Sequence, residues 1–302
     1  MSKVILVTGA TGKQGGAVIK SLLASNADIT IAAVTRNPSS PSAQALGQQS
    51  PKIKLIRGDL DNPTAIFAAA AAATSQRVTA VFSIQTPSAA DNQGPATEQA
   101  QGTALVDAAI AASAAHFVQA SVDRHGAANA TAVPHFASKH HIEQHLLARA
   151  PAAGMTWTVV QPVAFLENFA PPFGAGFAAM WKVALGFDKP LQLVSVADIG
   201  RVAAEALLHP ESYAGRMIPL AGEEIALREV ERVFKEKTGG DLPYLPDEVA
   251  AGILDGDYDM KMMFEFFVEQ GYGADIAALK KEFPGLLDYA AWLEKENSGS
   301  AV

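Results

Sequence analysis

The sequence predicts an α/β protein built on a doubly wound parallel sheet. Three observations point there. Short β-branched runs alternate with helix-length stretches through residue 162, a glycine turn joins the first run to the first helix, and beyond residue 162 the alternation gives way to aromatic and helical segments. Strand–helix alternation implies βαβ crossovers, which cover a parallel sheet on both faces.

The predicted strands are KVILVTG (3–9), ITIAAVT (29–35), KIKLIRG (52–58), TAVFSIQ (79–85), HFVQAS (116–121) and TWTVVQP (156–162). Each is apolar and rich in β-branched residues. Helices are expected between them at 12–25, 41–49, 62–74, 93–114 and 134–150. The run AIFAAAAAAT (65–74) is read as helix, because alanine is the strongest helix former and Asp61-Asn62-Pro63 is good N-terminal punctuation. NPSSPSAQ (37–44) is the most loop-like segment.

FLENFAPPFGAGFAAMWKVALGF follows, with Phe165, Phe169, Phe173, Phe177 and Trp181 four apart. Pro171, Pro172, Gly174 and Gly176 argue against one continuous helix. The aromatics read either as packing of a second lobe or as an apolar wall over a small-molecule site, with Phe165, Asn168, Phe169 and Trp181 as pocket candidates. VSVADIGRVAAEALLHP (194–210) predicts a helix entered at Asp198. GRMIPLAG (215–222) predicts a strand, and the C-terminal stretch reads as helical with a Met/Phe cluster at 260–267. Residues 1–162 are expected to form the doubly wound domain, with 191–222 returning to it, and 163–190 and 223–302 a smaller lobe.

Composition narrows the function classes. The 302 residues are 49% apolar and 18% charged, with net charge −8 and no cysteine. An acidic chain of this kind is a poor candidate for direct nucleic-acid or anionic-membrane binding. Without cysteine there are no disulfides, thiolate metal sites or cysteine nucleophiles. No apolar run approaches the ~20 residues needed to span a bilayer, and KVILVTG opens a strand with no signal-type segment before it. Cytoplasm is the expected compartment, with the nucleus left open, and a monomer or homodimer is expected.

VTGATGKQGGAVIKSLL (7–23) is the strongest motif. Gly9 permits a sharp exit from the strand, Gly12 lets backbone approach a pyrophosphate, and Gly15 allows the helix to pack closely on the sheet. The helix N-terminus then offers amides and partial positive charge to phosphates. Cofactor contacts are expected from Gly9, Thr11, Gly12, Lys13, Gln14 and Gly15. The second strand ends in Thr35, Arg36 and Asn37, with no carboxylate for a ribose 2′-hydroxyl. Arg36 and Lys13 favour a 2′-phosphate, hence NADP(H) over NAD(H). In GDLDN (58–62), Asp59 is read equally as an adenine contact or a helix cap, with Leu60 beside it. Gln85 and Thr86, ending the fourth strand, are expected near the nicotinamide ribose.

TGATGKQGG, TRNP, GDLDN, VVQP followed by FLEN, VADIG and the final LLDYAAWLEKE together resemble the NmrA-like family, atypical members of the short-chain dehydrogenase/reductase superfamily. The resemblance runs over nearly the whole chain. It implies a Rossmann-type doubly wound sheet with a smaller, mostly C-terminal, α-rich lobe and a cofactor cleft between them. It also implies one of two activities: NADPH-dependent reduction of small carbonyl, quinone or unsaturated compounds, or dinucleotide sensing that controls transcription through a protein partner.

Catalytic members of the wider superfamily use a serine and a Tyr-x-x-x-Lys pair on a helix. In VPHFASKHH (133–141), Lys139 matches the lysine and Ser121 the serine, but His135 stands at the tyrosine position. No tyrosine precedes Tyr213. His135 can replace it, because imidazole titrates near neutrality; Asp123 and His125 are weaker candidates for the same task. His141 and His145 have i, i+4 spacing, but the order H-I-E-Q-H lacks a third ligand, so no metal is expected. The expected function is an NADPH-dependent oxidoreductase of a small, largely apolar substrate. A redox sensor with a protein partner is the alternative, and a non-redox isomerase or cyclase using the same pocket is the third reading.

Overall fold

The computed structural model describes residues 3–85, 94–126 and 131–298. Strands β1 (Lys3–Val7), β2 (Ile29–Thr35), β3 (Ile53–Arg57), β4 (Ala80–Ser83), β5 (His116–Ala120) and β6 (Thr156–Pro162) alternate with helices α1 (Lys13–Ala24), α2 (Pro41–Gln48), α3 (Pro63–Thr74), α4 (Gly94–Ala111) and α5 (Pro134–Arg149). Next come β7 (Ala164–Phe165), α6 (Gly174–Leu185), β8 (Pro190–Val194), α7 (Val196–Leu208), α8 (Pro210–Tyr213), β9 (Arg216–Leu220) and β10 (Glu223–Ala226). The chain finishes with α9 (Leu227–Thr238), α10 (Asp247–Gly256), α11 (Tyr258–Glu269), α12 (Ile276–Glu282) and α13 (Tyr289–Asn297).

Seven strands form one sheet in the order β3-β2-β1-β4-β5-β6-β9, and the pairs from β3 through β6 are parallel. The order reverses direction at β1, the switch point of a Rossmann-type sheet. Apart from Lys3, strands β1, β4 and β5 are buried along their length, as a sheet covered on both faces requires. The alanine run is the helix α3, capped by Asn62, whose Oδ1 accepts from the Ala65 amide. Leu6, Val34, Ile66, Phe67, Leu105 and Phe117 are among the residues of the core between sheet and helices.

The chain divides into two compact units. The first comprises Met1–Ser121, Ser138–Val160 and Ile199–Ile218; the second comprises Val122–Ala137, Gln161–Asp198 and Pro219–Val302. Residues 199–218 are therefore the segment that returns to the first unit. Residues 190–194 form β8 in a separate three-stranded sheet, β10-β8-β7, that belongs to the second unit. β7 has only two residues and β10 four, too short for periodicity to register.

Helix α7 also starts earlier than expected, at Val196 and not at Asp198. The Ser195 hydroxyl accepts from the Ala197 amide, and both carboxylate oxygens of Glu167 accept from the Val196 amide at 3.0 Å. Asp198 is turned to another task, its Oδ2 accepting from the Leu287 amide at 2.8 Å. The segments FLEN, VADIG and LLDY thus fasten one another within the second unit. Gly200, within the first unit, lets α7 meet α1: a Cβ there would fall 2.5 Å from the Ala17 carbonyl carbon.

Candidate functional site

The turn after β1 is held by Thr8. Its hydroxyl donates to the Ile84 carbonyl at 3.0 Å and accepts from the Ile84 amide at 2.8 Å, stitching the end of β1 to the end of β4. Gly9 follows with φ +58°, and a Cβ there would lie 2.7 Å from Ile84 Cγ2. Gly15 is more constrained: its Cβ would lie 2.2 Å from the Gly9 carbonyl oxygen. Both positions need glycine because strand, turn and helix approach closer than any side chain allows.

Gly12 is the N-cap of α1 and contributes no side-chain acceptor; the first turn carries no acidic residue. The turn is exposed at Thr11, Gly12 and Lys13. Gln14 Oε1 is buried and meets no hydrogen-bond donor among the described residues. A helix start with no internal anion and glycine at each close approach fits a dinucleotide pyrophosphate.

The register places the end of β2 beside this turn, Val7 pairing with Ala33. Thr35 Oγ1 accepts from the Asn37 amide at 3.3 Å, and Asn37 Oδ1 from the Ser39 amide at 3.0 Å. Arg36 lies exposed between them, and among the described residues it makes no ion pair. The end of β2 therefore presents a cation and no carboxylate. Asp59 is exposed, its Oδ1 accepting from the Asp61 amide at 3.1 Å. The capping role considered for it belongs to Asn62. Leu60 packs partly buried against the core.

Gln85 is nearly fully buried. Its Nε2 donates to Ser83 Oγ at 2.8 Å, and its Oε1 accepts from Gln119 Nε2 at 3.2 Å. Gln119 Oε1 is buried without a donor among the described residues. Gln85 thus belongs to an internal amide network at the ends of β4 and β5. Thr86 lies outside the described residues.

Helix α5 carries Lys139 as expected, and two buried glutamates that sequence reasoning missed surround this position. The Lys139 ammonium and the Ser138 hydroxyl both donate to Glu98 of α4, one to each carboxylate oxygen. Glu98 is 1% exposed. Ser121 Oγ donates to Glu143 Oε1 at 2.5 Å, and Glu143 also faces His140 Nδ1 at 3.5 Å. An isolated buried carboxylate is costly, so both glutamates need these partners. His145 and Arg149 share Asp107 at 3.0 and 3.2 Å. Among the described residues no group of three or more His, Asp or Glu side chains is arranged to hold a metal ion.

In the second unit, His135 Nδ1 lies 2.7 Å from Asp259 Oδ1 of α11, and the same carboxylate accepts from the His135 amide at 3.2 Å. Asp123, 1% exposed, accepts from the Gly273 amide at 2.6 Å. Burial raises its pKa, and the Gly273 hydrogen bond opposes the rise. Burial likewise lifts the Tyr272 phenol well above its ordinary value, with the neighbouring Asp123 adding to it.

The aromatic stretch breaks where the prolines predict, between the residues preceding α6 and α6 itself. Phe169 packs on Phe177 at 5.1 Å, on Trp181 at 6.0 Å and on Tyr289 at 5.2 Å. Trp181 is fully buried, so it acts as core of the second unit. Phe165, Asn168 and Phe169 remain partly exposed.

A sequence profile of the NmrA-like family matches residues 1–293. The NmrA-like family domain-containing oxidoreductase ptmS of Penicillium ochrochloron is 30% identical over 300 residues, covering 89% of this chain and 85% of that protein. FrzB of Cladobotryum sp, described in the same words, is 30% identical over 293 residues, covering 88% and 84%. Among solved structures, the triphenylmethane reductase of Citrobacter sp. complexed with NADP(H) superposes with a TM-score of 0.71 at 18% identity, covering 97% of this chain and 99% of that one. NmrA, a negative transcriptional regulator in complex with NAD, superposes at 0.67 with 21% identity, covering 99% and 98%. At these identities the two solved structures speak for the fold. No described helix is long and apolar enough to cross a membrane.

Proposed function

This chain belongs to the NmrA-like family, and we propose that it is an NADPH-dependent oxidoreductase of a small, largely apolar carbonyl, quinone or unsaturated compound. The observation that carries this reading is the glycine turn of β1–α1 beside a β2 end that presents Arg36 and no acid. Backbone amides at the start of α1 would hold the pyrophosphate, and Arg36 with Lys13 would hold the 2′-phosphate. Lys139, anchored on Glu98, would hold the nicotinamide ribose. NADPH, when bound, supplies a hydride. His135, its Nδ1 on Asp259, stands at the tyrosine position of α5 and would deliver the accompanying proton. The naming of relatives as oxidoreductases supports this reading.

A second reading is favoured by one observation: the tyrosine position is histidine, so the usual proton donor is missing. On that reading the chain binds the dinucleotide, distinguishes its redox state and acts on a protein partner. Titration with NADPH, NADP and NADH, followed by NADPH consumption against quinones, aldehydes and enones, separates the two. Turnover abolished by Lys139→Ala would exclude a pure sensor. No turnover with any acceptor, together with a large affinity gap between NADPH and NADP, would overturn the enzyme reading.

A further inference from the structure

Resting on the cofactor reading above, we infer that Glu98 is a positioning residue, setting the Lys139 ammonium for the nicotinamide ribose. The Glu98 side chain has no solvent exposure, and that of Lys139 is 14% exposed. Each Glu98 oxygen is occupied, Oε1 by the Lys139 ammonium and Oε2 by the Ser138 hydroxyl. Two donors from adjacent residues of α5 fix the carboxylate plane, and the carboxylate in turn fixes one end of a flexible four-carbon stem. An ammonium has three donors, so one bond to Glu98 still leaves donors for a ribose diol.

The helix crossing makes this reach possible. One turn beyond Glu98 is Gly102, and one turn beyond Ser138 is Ile142. A Cβ on Gly102 would fall 2.4 Å from Ile142 Cδ1 and 2.6 Å from Cγ1. Helices α4 and α5 therefore touch where only a hydrogen fits, and this contact brings Glu98 onto Ser138 and Lys139. The local alternative is closed: Glu143, at i+4 from Lys139, is engaged by Ser121 and His140. Glu98 thus does for Lys139 what no neighbour on its own helix does.

The test is a binding experiment on the full chain. NADPH and adenosine 2′,5′-bisphosphate, which lacks the nicotinamide ribose, are titrated against wild type, Glu98→Gln, Lys139→Met and the double variant. Glu98→Gln is expected to weaken NADPH by about fivefold or more and to leave the bisphosphate within about twofold. The double variant is expected to bind NADPH no more weakly than Lys139→Met. Equal loss for both ligands, additive losses, or no loss from Glu98→Gln would overturn the positioning role and leave the cofactor reading standing, whereas no loss from Lys139→Met would also overturn the ribose contact given to Lys139. A wild-type protein that binds neither ligand would overturn both. Should Glu98→Gln fail to fold, Glu98→Asp, which keeps the charge on a shorter stem, is read by the same outcomes.

Discussion

His135 meets Asp259 across 124 residues of sequence, its Nδ1 2.7 Å from the carboxylate, which also accepts from the His135 backbone amide. A carboxylate on one ring nitrogen orients the imidazole and sets which nitrogen carries the proton. His135 is therefore held in one orientation by a partner from α11.

If His135 delivers the proton, His135→Ala lowers kcat for the best acceptor by about 100-fold and leaves NADPH affinity within about threefold. Asp259→Asn, which keeps the shape and loses the charge, falls between. Steady-state NADPH consumption with a fluorescence titration checks both, and unchanged turnover in His135→Ala removes it from the chemistry.

Arg36 lies exposed beside the glycine turn with no ion-pair partner among the described residues, so its charge is available to a 2′-phosphate. Arg36→Asp is expected to weaken NADPH by about 10- to 100-fold, the scale of a charge-assisted hydrogen bond, and NADH by much less. Parallel titrations decide it; equal weakening of the two would refute the assignment.

Gly15 and Gly154 make a matched pair of glycine tests. Gly15→Ala drives a methyl to 2.2 Å from the Gly9 carbonyl oxygen, whereas Gly154 has φ +70° and nothing within 4 Å. Gly15→Ala should cost about 1–3 kcal/mol of stability or more, with loss of dinucleotide binding. Gly154→Ala should cost about 1 kcal/mol, from the left-handed backbone alone, with binding intact. Urea unfolding and NADPH titration of the two variants give the comparison.

His116, buried on β5 between Thr156 and Thr158, has its pKa lowered to about 4, mainly by burial, with the Lys3 charge adding to it. The native imidazole stays neutral where the unfolded one takes a proton. Its contribution is therefore fully present above the unfolded value and is lost as pH falls from about 6.5 to about 4, on the order of 3 kcal/mol in all. His116→Gln should flatten this arm of the stability curve relative to wild type. Urea midpoints at pH 7, 5.5 and 4.5 measure the difference, and parallel curves would show that His116 titrates normally.

What was legible in the sequence shares a physical origin. The β1–α1 turn, the α3 cap by Asn62 and the proline break before α6 all arise from residues within a few positions of each other. Backbone sterics and short-range hydrogen bonds act at that distance, so residue type alone reveals them. The family motifs were legible as strings but not as structure. Glu167 of FLEN and Asp198 of VADIG turn out to hold backbone amides of other motifs, which is why α7 begins at Val196.

The partners of the chemically interesting side chains came only from packing. Lys139 and Glu98 are 41 residues apart, Ser121 and Glu143 are 22 apart, and His135 and Asp259 are 124 apart. Helical spacing would pair Lys139 with Glu143; the close crossing at Gly102 and Ile142 gives it Glu98 instead. A charge in a buried place takes whichever counter-charge the assembled helices bring within reach. That choice is a property of the packed chain. The sequence could place Lys139 on its helix, and the fold supplied the carboxylate that holds it there.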